Sequence, residues 1–295
     1  MPTTPTKSLS AAVLATMLAT VPALPQGQVN PFAAPETSAP EDIPASRCIA
    51  LARDLSTEPE APAVRVASLD LPVLPATVAP GTVDITFATH STYVIETPGG
   101  VSIATDYAGW AGPGVTPRVV TMNRAHSSHF TMNPDPRIEH VLPGWGSTPA
   151  DPAAHALVVD DVFIRNVTTD IDRWGERSPN ANSIFIFEVG DLCIGHLGHL
   201  HHRLADRHYA QIGRLDVVMV PVDGGLTLNH DGMAEIVHRL RASIILPMHR
   251  RGNPLSSFVS MLGDTVDVRM LDSTTITVDP RNLPERPTLM VMPGI

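Results

Sequence analysis

Seven histidines that stand directly after short apolar runs constrain most strongly what this chain can fold into. They occur in three segments that are far apart in the sequence: His126 and His129; His196, His199, His201 and His202; and His249. Short apolar runs are typical of buried strands, so each segment is expected at a strand end. Imidazole is a neutral nitrogen donor suited to zinc, iron, copper or nickel. Ligands from several loops are typical of open catalytic sites, so the histidines predict a metal centre that only the folded chain assembles.

The composition of the chain excludes one class of partner. The 295 residues are 43% hydrophobic, which is enough to bury a full core in one or two domains. The formal net charge is -10, and no cluster of Lys and Arg occurs, whereas proteins that bind nucleic acid carry a basic patch. We therefore predict a small-molecule substrate and no nucleic acid, and we leave the oligomeric state open.

Residues 1–25 are predicted to be a secretory signal peptide. Lys7 precedes an apolar segment, 11–24, that is too short to span a membrane, and Val21-Pro22-Ala23 offers small residues for cleavage. An unremoved anchor and a disordered tail are the alternatives. Cleavage of the signal would leave a periplasmic or secreted protein without stable membrane insertion.

The rest of the chain divides by composition. Residues 26–80 are rich in Pro, Ala and Glu, so we predict a linker or an N-terminal arm. A compact domain is expected over 81–281, followed by a C-terminal tail, 282–295. Outside the cytoplasm disulfides are allowed, so Cys48 and Cys193 either pair or remain separate thiols, with Cys193 buried in a strand.

Within the compact domain, strands dominate the first half and a strand, helix, strand unit closes the second. Apolar and β-branched runs predict strands at 83–88, 93–96, 101–105, 118–122, 156–159, 162–167, 183–188, 192–194, 217–222 and 243–247. Apolar residues at helical spacing predict a helix over 233–241, with Asp231 as its N-cap. This order fits two packed sheets with helices outside, an α/β domain of the α+β type.

Four parts of the sequence carry a resemblance to a known family. They are the stretch from Thr89-His90-Ser91 to Asp106; Asn123 to His129; Ile194 to His202; and Pro221-Val222-Asp223-Gly224-Gly225, followed after a helix by Pro247-Met248-His249. In this order they resemble the metallo-β-lactamase fold superfamily. Within it, they are similar to the branch of metal-dependent hydrolases that includes L-ascorbate-phosphate lactonase and N-acyl-phosphatidylethanolamine phospholipase D. The resemblance implies a four-layer αββα sandwich.

The resemblance also implies a set of metal ligands. It comprises His126, His129, His199 and His249, with His202 as the next candidate and His196 and His201 as outer or alternative ligands. Solvated loop histidines are the alternative interpretation, and His199 alone has a further one, as a donor that supports a ligand.

Three positions depart from the family pattern. Arg124 and Ser128 stand where the family's His-x-His-x-Asp-His motif has its first His and its Asp, and His199 stands where a metal-bridging Asp is usual. The remaining ligands are all nitrogen donors. We therefore predict one zinc ion rather than two, with iron and manganese as alternatives.

The function implied is that of a metallo-hydrolase in which metal-bound hydroxide attacks an ester, lactone, amide or phosphodiester. The candidate catalytic residues are Asp223, as the nearest acidic group; Arg124, as a contact for an anionic substrate group or else a surface ion pair; and His90, which either lines the pocket or caps the first hairpin. A non-catalytic periplasmic metal-binding or sensing protein on the same fold is the alternative, and redox chemistry at iron is a third hypothesis.

Overall fold

The fold was analysed in a computed structural model, which describes residues 1, 44–49, 81–148, 151–173, 175–252 and 254–295. The predicted signal peptide beyond Met1, and the arm except for 44–49, lie outside the described residues. Among the residues described, no helix is long and apolar enough to cross a membrane.

Two β-sheets form the domain. The first has the strand order β13-β1-β2-β3-β4-β5 and contains β1 (Val83–Thr89), β2 (Thr92–Glu96), β3 (Ser102–Ala104), β4 (Val119–Met122), β5 (His140–Pro143) and β13 (Thr275–Val278). The second has the order β12-β14-β11-β10-β9-β8-β7-β6 and contains β6 (Ala156–Val159), β7 (Val162–Arg173), β8 (Glu176–Val189), β9 (Leu192–His196), β10 (Val217–Pro221), β11 (Ile244–Met248), β12 (Asp267–Met270) and β14 (Thr288–Val291). Three α-helices, α1 (Asp206–Ile212), α2 (His230–Leu240) and α3 (Leu255–Leu262), and a short 3-10 helix, Gly263–Thr265, complete the described elements.

The two sheets pack face to face through alternate residues of their strands. In β1, Val83, Ile85 and Phe87 are buried and the residues between them are partly exposed, which is the period-2 pattern of a strand covered on one face. These residues share one core with Phe185 and Phe187 of β8 in the second sheet. The two-sheet sandwich expected from the sequence is therefore confirmed.

The two outer faces of the sandwich are covered differently. A second core joins the other face of β10 and β11 to α2 and α3, with Val218 and Ile245 packed among Ile236 and Phe258. Strands β9, β10 and β11 are buried along their whole length, as expected for parallel strands covered on both faces. In the described part of the chain, loop residues such as Tyr107 cover the outer face of the first sheet.

The parallel strands determine where functional side chains meet. Strands β9, β10 and β11 are parallel neighbours, so their carboxyl ends lie at one edge of the second sheet. At this edge His199 follows β9, Asp223 follows β10 and His249 follows β11. Across the sandwich, the Tyr93 hydroxyl donates to the Pro247 carbonyl over 2.8 Å, which fixes the first sheet against the end of β11.

The predicted boundary between the domain and a C-terminal tail at residue 281 is corrected by the structure. Strand β14 lies between β11 and β12, in parallel register with both, and Leu289 is fully buried. The segment is short and stands alone after a run of polar residues and prolines, so its sequence did not predict a strand.

The described part of the N-terminal arm is attached to the second sheet. A disulfide joins Cys48 to Cys193 of β9, so the two cysteines pair. Beside it, the buried Glu188 carboxylate accepts hydrogen bonds from the Ser46 hydroxyl, the Arg47 backbone N–H and the Arg165 guanidinium. A buried carboxylate is stable only when it is paired and hydrogen-bonded, so these contacts hold residues 44–49 against the sheet.

The N-cap of α2 differs from the prediction. The helix begins at His230, and the Asn229 side chain accepts a hydrogen bond from the Gly232 N–H, whereas Asp231 lies in the first turn. We expect Asn229→Ala to lower the free energy of unfolding by about 1 kcal/mol, because one N–H of the first turn loses its acceptor. Urea unfolding would measure this. A larger loss in Asp231→Ala than in Asn229→Ala would contradict the assignment.

Candidate metal centre

Five histidine side chains converge at the edge where the parallel strands end. His90, His126, His129 and His249 each offer one nitrogen, and these four atoms lie within 4.8 Å of one another. The His199 ring packs against three of these rings, with centroid distances of 5.0, 4.8 and 4.7 Å to His126, His129 and His249. The structure thus brings together four of the five predicted metal ligands and adds His90.

Two of these histidines have an unusual backbone conformation. His90 and His249 have positive φ angles of 43° and 54°, a region that residues other than glycine rarely adopt. The His249 N–H donates to the His90 carbonyl over 2.7 Å. This bond ties the end of β1 to the end of β11, and it brings the two rings to a centroid distance of 4.2 Å.

Buried carboxylates orient two of the rings. The Nδ1 of His129 donates to Asp106 over 2.6 Å, and the Nδ1 of His249 donates to Asp223 over 2.8 Å. A carboxylate on one ring nitrogen fixes the tautomer and leaves a lone pair on the other, an arrangement typical of metal-binding histidines.

Two further rings are held by neighbours in their own loops. The Nδ1 of His126 lies 2.7 Å from the Ser128 hydroxyl, and the Nδ1 of His199 shares a 2.7 Å hydrogen bond with the Nε2 of His201. Four rings are therefore held at Nδ1, so that Nε2 is the atom each can offer to an ion. Ser128 and His201 thus hydrogen-bond to the His126 and His199 rings at Nδ1.

The Nε2 atoms have the properties of metal donors. Those of His90, His129 and His199 are buried and have no hydrogen-bond partner among the described residues, whereas buried polar atoms in proteins are nearly always paired. The Nε2 atoms of His126 and His249 lie 3.3 Å apart. Three unpaired nitrogens at one place would be costly without a common partner, so the residues present fit a bound cation.

Burial keeps two of the donors neutral. Desolvation and the neighbouring histidines lower the pKa of His90 to about 3. The same two causes lower the pKa of His199 still further. Because imidazole must be deprotonated to bind a metal, both rings are ready to bind at neutral pH.

Asp223, predicted as a catalytic residue, lies behind the His249 ring, and both of its carboxylate oxygens accept hydrogen bonds. One carboxylate oxygen accepts the backbone N–H groups of residues 225–227, and the other accepts the Thr227 hydroxyl and the His249 ring. Burial raises the pKa of Asp223, but the hydrogen bonds from His249, Thr227 and Gly225 outweigh it and hold the pKa below its ordinary value. Asp223 thus remains a carboxylate that positions His249.

His202 and Arg124 lie outside the cluster. The His202 Nε2 accepts a hydrogen bond from the Asp170 N–H, and its Nδ1 donates to the Arg203 carbonyl, so both nitrogens are occupied and the predicted ligand role is corrected. Arg124 is exposed on the loop that carries His126, with its backbone N–H bonded to the Ala181 carbonyl. Arg124 is one of the residues that line a cavity there.

Gly198 permits the close packing beneath the His199 loop. Its φ is +62°, and a Cβ there would lie 2.3 Å from the Asn182 side-chain oxygen and 2.4 Å from the Asn123 amide nitrogen. Asn182 accepts the His199 N–H, and Asn123 donates to Asp106. Two buried asparagines thus connect the loops that carry the histidines, and Gly198 leaves them room.

Sequence reasoning missed His90 as a donor and Asp106 as the partner of His129. The signal for His90 was its place directly after β1, in Thr89-His90-Ser91. That position is equally compatible with capping the first hairpin. The sequence alone does not show the contact with His249, because the two residues are far apart in the chain.

Comparisons with known proteins identify the family and agree with the fold. A family model described as a beta-lactamase superfamily domain matches residues 84–249. A proposed Zn-dependent hydrolase of the metallo-beta-lactamase superfamily from Thermotoga maritima is 26% identical, with 71% of this chain and 98% of that chain covered at a TM-score of 0.53. A metallo hydrolase from Ignicoccus hospitalis is 16% identical and covers 67% and 99% at a TM-score of 0.50. No functionally curated protein matches the sequence.

Proposed function

Because the chain belongs to the beta-lactamase superfamily, we propose that it is a hydrolase that holds one zinc ion among its clustered histidines and cleaves an ester, lactone, amide or phosphodiester. The observation that carries this proposal is the set of three buried, unpartnered Nε2 atoms of His90, His129 and His199. The narrower likeness to L-ascorbate-phosphate lactonase and N-acyl-phosphatidylethanolamine phospholipase D stays a prediction.

The donor set favours a single ion of the zinc type. Two-metal sites hold their ions about 3.5–4 Å apart, and in this family a carboxylate usually bridges them, at the position that His199 occupies here. Asp106 and Asp223 are both engaged behind ligand rings. Nitrogen donors without a carboxylate suit zinc, whereas manganese prefers oxygen ligands; iron is the metal to compare with zinc.

The chain's residues have distinct parts in the proposed reaction. When bound, a zinc-type ion would lower the pKa of a water molecule bound to it and would polarise a carbonyl or phosphoryl oxygen. Asp106 and Asp223 fix the rings of His129 and His249 in the tautomer that presents Nε2. His129, His199 and His249 are almost wholly buried, while His90 and His126 are only partly buried, so a substrate would approach from the side of these two rings.

The non-catalytic alternative is less well supported. A periplasmic metal-binding or sensing protein would account for the missing bridging carboxylate. However, the 26% identical relative is itself described as a hydrolase, and the histidines retain their supporting partners. Hydrolysis of any ester, lactone or phosphodiester that is lost in His129→Ala would decide for the enzyme.

We further propose that the protein is periplasmic or secreted. The disulfide between Cys48 and Cys193 supports this, since disulfides persist mainly in oxidising compartments. Cell fractionation with a thiol-alkylation assay would test it, and finding the protein in the cytoplasm with reduced cysteines would overturn it.

Metal content tests the proposed centre directly. Protein purified without added metal should contain about one transition-metal ion per chain. A ligand present at about 1,000 times its Kd stabilises a protein by about 4 kcal/mol, so chelation should lower the Tm by roughly 10 °C and zinc should restore it. Elemental analysis and thermal unfolding would measure both.

The matched variants are His129→Ala, which removes a buried donor, and His238→Ala, which removes an exposed histidine of α2. We expect only His129→Ala to lose the ion and the zinc-dependent rise in Tm. An absence of metal, together with a Tm that zinc, iron and manganese leave unchanged, would disprove the centre.

A further inference from the structure

A cavity at the start of the loop that carries His126 supports an inference about the substrate. It has a volume of about 390 Å³ and is lined by residues of three loops or strands: Arg124, Trp145, Thr148, Arg177 and Asn180 among them. Two arginines and a tryptophan therefore line one cavity. This combination offers positive charge and an apolar wall together.

The charges of the cavity are not balanced by its own lining. Among the described lining residues none is acidic, although acidic residues outnumber basic ones by 30 to 20 in the whole chain. The Arg177 guanidinium pairs with Asp170. Within the described residues, no hydrogen bond or ion pair engages the Arg124 guanidinium, so its five N–H donors remain available.

The cavity and the histidine cluster share their framework. Arg124 stands two residues before His126 on the same loop, and its backbone N–H donates to the Ala181 carbonyl over 3.0 Å. From the same part of β8, the Ser183 N–H donates to the Asn123 side chain, and the Asn182 side chain accepts the His199 N–H. One strand thus supports both the cavity and two of the histidine loops.

We infer that this cavity binds the anionic group of the substrate, and that Arg124 is the residue that recognises it. Guanidinium binds carboxylate and phosphate oxygens through two parallel hydrogen bonds, and Trp145 provides the wall for an adjacent apolar part of the substrate. The inference rests on the proposed function and narrows it: the bond cleaved belongs to a molecule that also carries a carboxylate or phosphate.

Two esters that differ by one charge test the inference. 4-Nitrophenyl hydrogen glutarate carries a carboxylate, and its methyl ester is the neutral counterpart; kcat/KM would be measured for both with the metal-loaded protein. We expect Arg124→Met to lower the ratio of kcat/KM for the anionic ester to kcat/KM for the neutral ester by about 10- to 100-fold. Loss of hydrogen bonds to a charged group weakens binding by about this factor. The control is Arg137→Met, which removes an exposed guanidinium paired with Asp135.

Binding measurements separate this inference from the proposed activity. Calorimetric titration with glutarate and with inorganic phosphate needs no turnover, and the tighter-bound anion identifies the group. If neither ester is cleaved, hydrolysis of such esters is disproved, while an anion affinity at least tenfold lower in Arg124→Met than in Arg137→Met still supports the subsite. Three results would overturn the inference about the subsite. They are a ratio of anionic to neutral kcat/KM in Arg124→Met within about twofold of the wild type, equal anion affinities in the two variants, and no anion binding by the wild type.

Discussion

Asp223→Asn is expected to lower the zinc affinity of the protein by about 10- to 100-fold, the range for residues that support a metal ligand. The wild-type carboxylate accepts hydrogen bonds at both oxygens, from backbone N–H groups on one side and from His249 and Thr227 on the other. An asparagine must turn its amide NH₂ toward one of these sets of donors. Either orientation leaves buried donors unpaired, so the His249 ring loses its fixed tautomer or its loop loses its hydrogen bonds.

Competition with a chromogenic zinc chelator would measure this change in affinity. Asp231→Asn is the matched control, because its exposed carboxylate pairs with Arg203 at the surface of α2 and such pairs contribute little. Circular dichroism would show that both variants fold. Equal zinc affinities in the two variants would mean that Asp223 does not position His249.

The metal-free protein is expected to lose stability as the pH falls from 6.5 to about 5. Burial lowers the pKa values of His90, His196 and His199. Below pH 6.5 these three side chains bind more protons in the unfolded chain than in the folded one. The unfolded state then holds more protons, so the free energy of unfolding falls as the pH falls.

The slope of this dependence can be stated. Each histidine contributes up to about 1.4 kcal/mol per pH unit, so three contribute up to about 4 kcal/mol per unit, against a typical total stability of about 5–15 kcal/mol. Urea unfolding of chelator-treated protein at pH 7.5, 6.5, 5.5 and 5.0 would measure the slope. His199→Leu should reduce this slope by the contribution of one histidine, up to about 1.4 kcal/mol per pH unit. A stability that stays constant from pH 7 to 5.5 would contradict the assignment of neutral, buried rings.

Most of the fold could be predicted because its strands carry their own signal. Runs such as β1 alternate buried and exposed residues, and runs such as β10 are apolar throughout. The apolar runs also mark the strand ends at which the histidines stand, so the histidines could be predicted to lie near one another. Strands β12 and β13, by contrast, are largely exposed or partly exposed, so their sequences lack the apolar pattern and only pairing with neighbouring strands defines them.

The roles within the site could be predicted less well. Whether a histidine can bind a metal or supports a neighbouring ring depends on which of its atoms face its neighbours. His90 and His202 both stand next to a strand or loop end, but only His90 contacts the rings of the histidine cluster. Likewise, four hydrogen bonds at Asp223 come from residues 225–227 in the tight turn after β10, and spacing alone does not show that a turn closes around a carboxylate.

The position of β14 has a consequence for the order of events during synthesis. Strand β11, which leads to His249, has β10 on one side and β14 on the other, and β14 is formed by residues 288–291 of a 295-residue chain. The edge of β11 therefore stays unpaired during synthesis until residues 288–291 have followed. Removal of residues 288–295 would leave β11 paired with β10 alone, so the strand that leads to His249 would become an open edge strand.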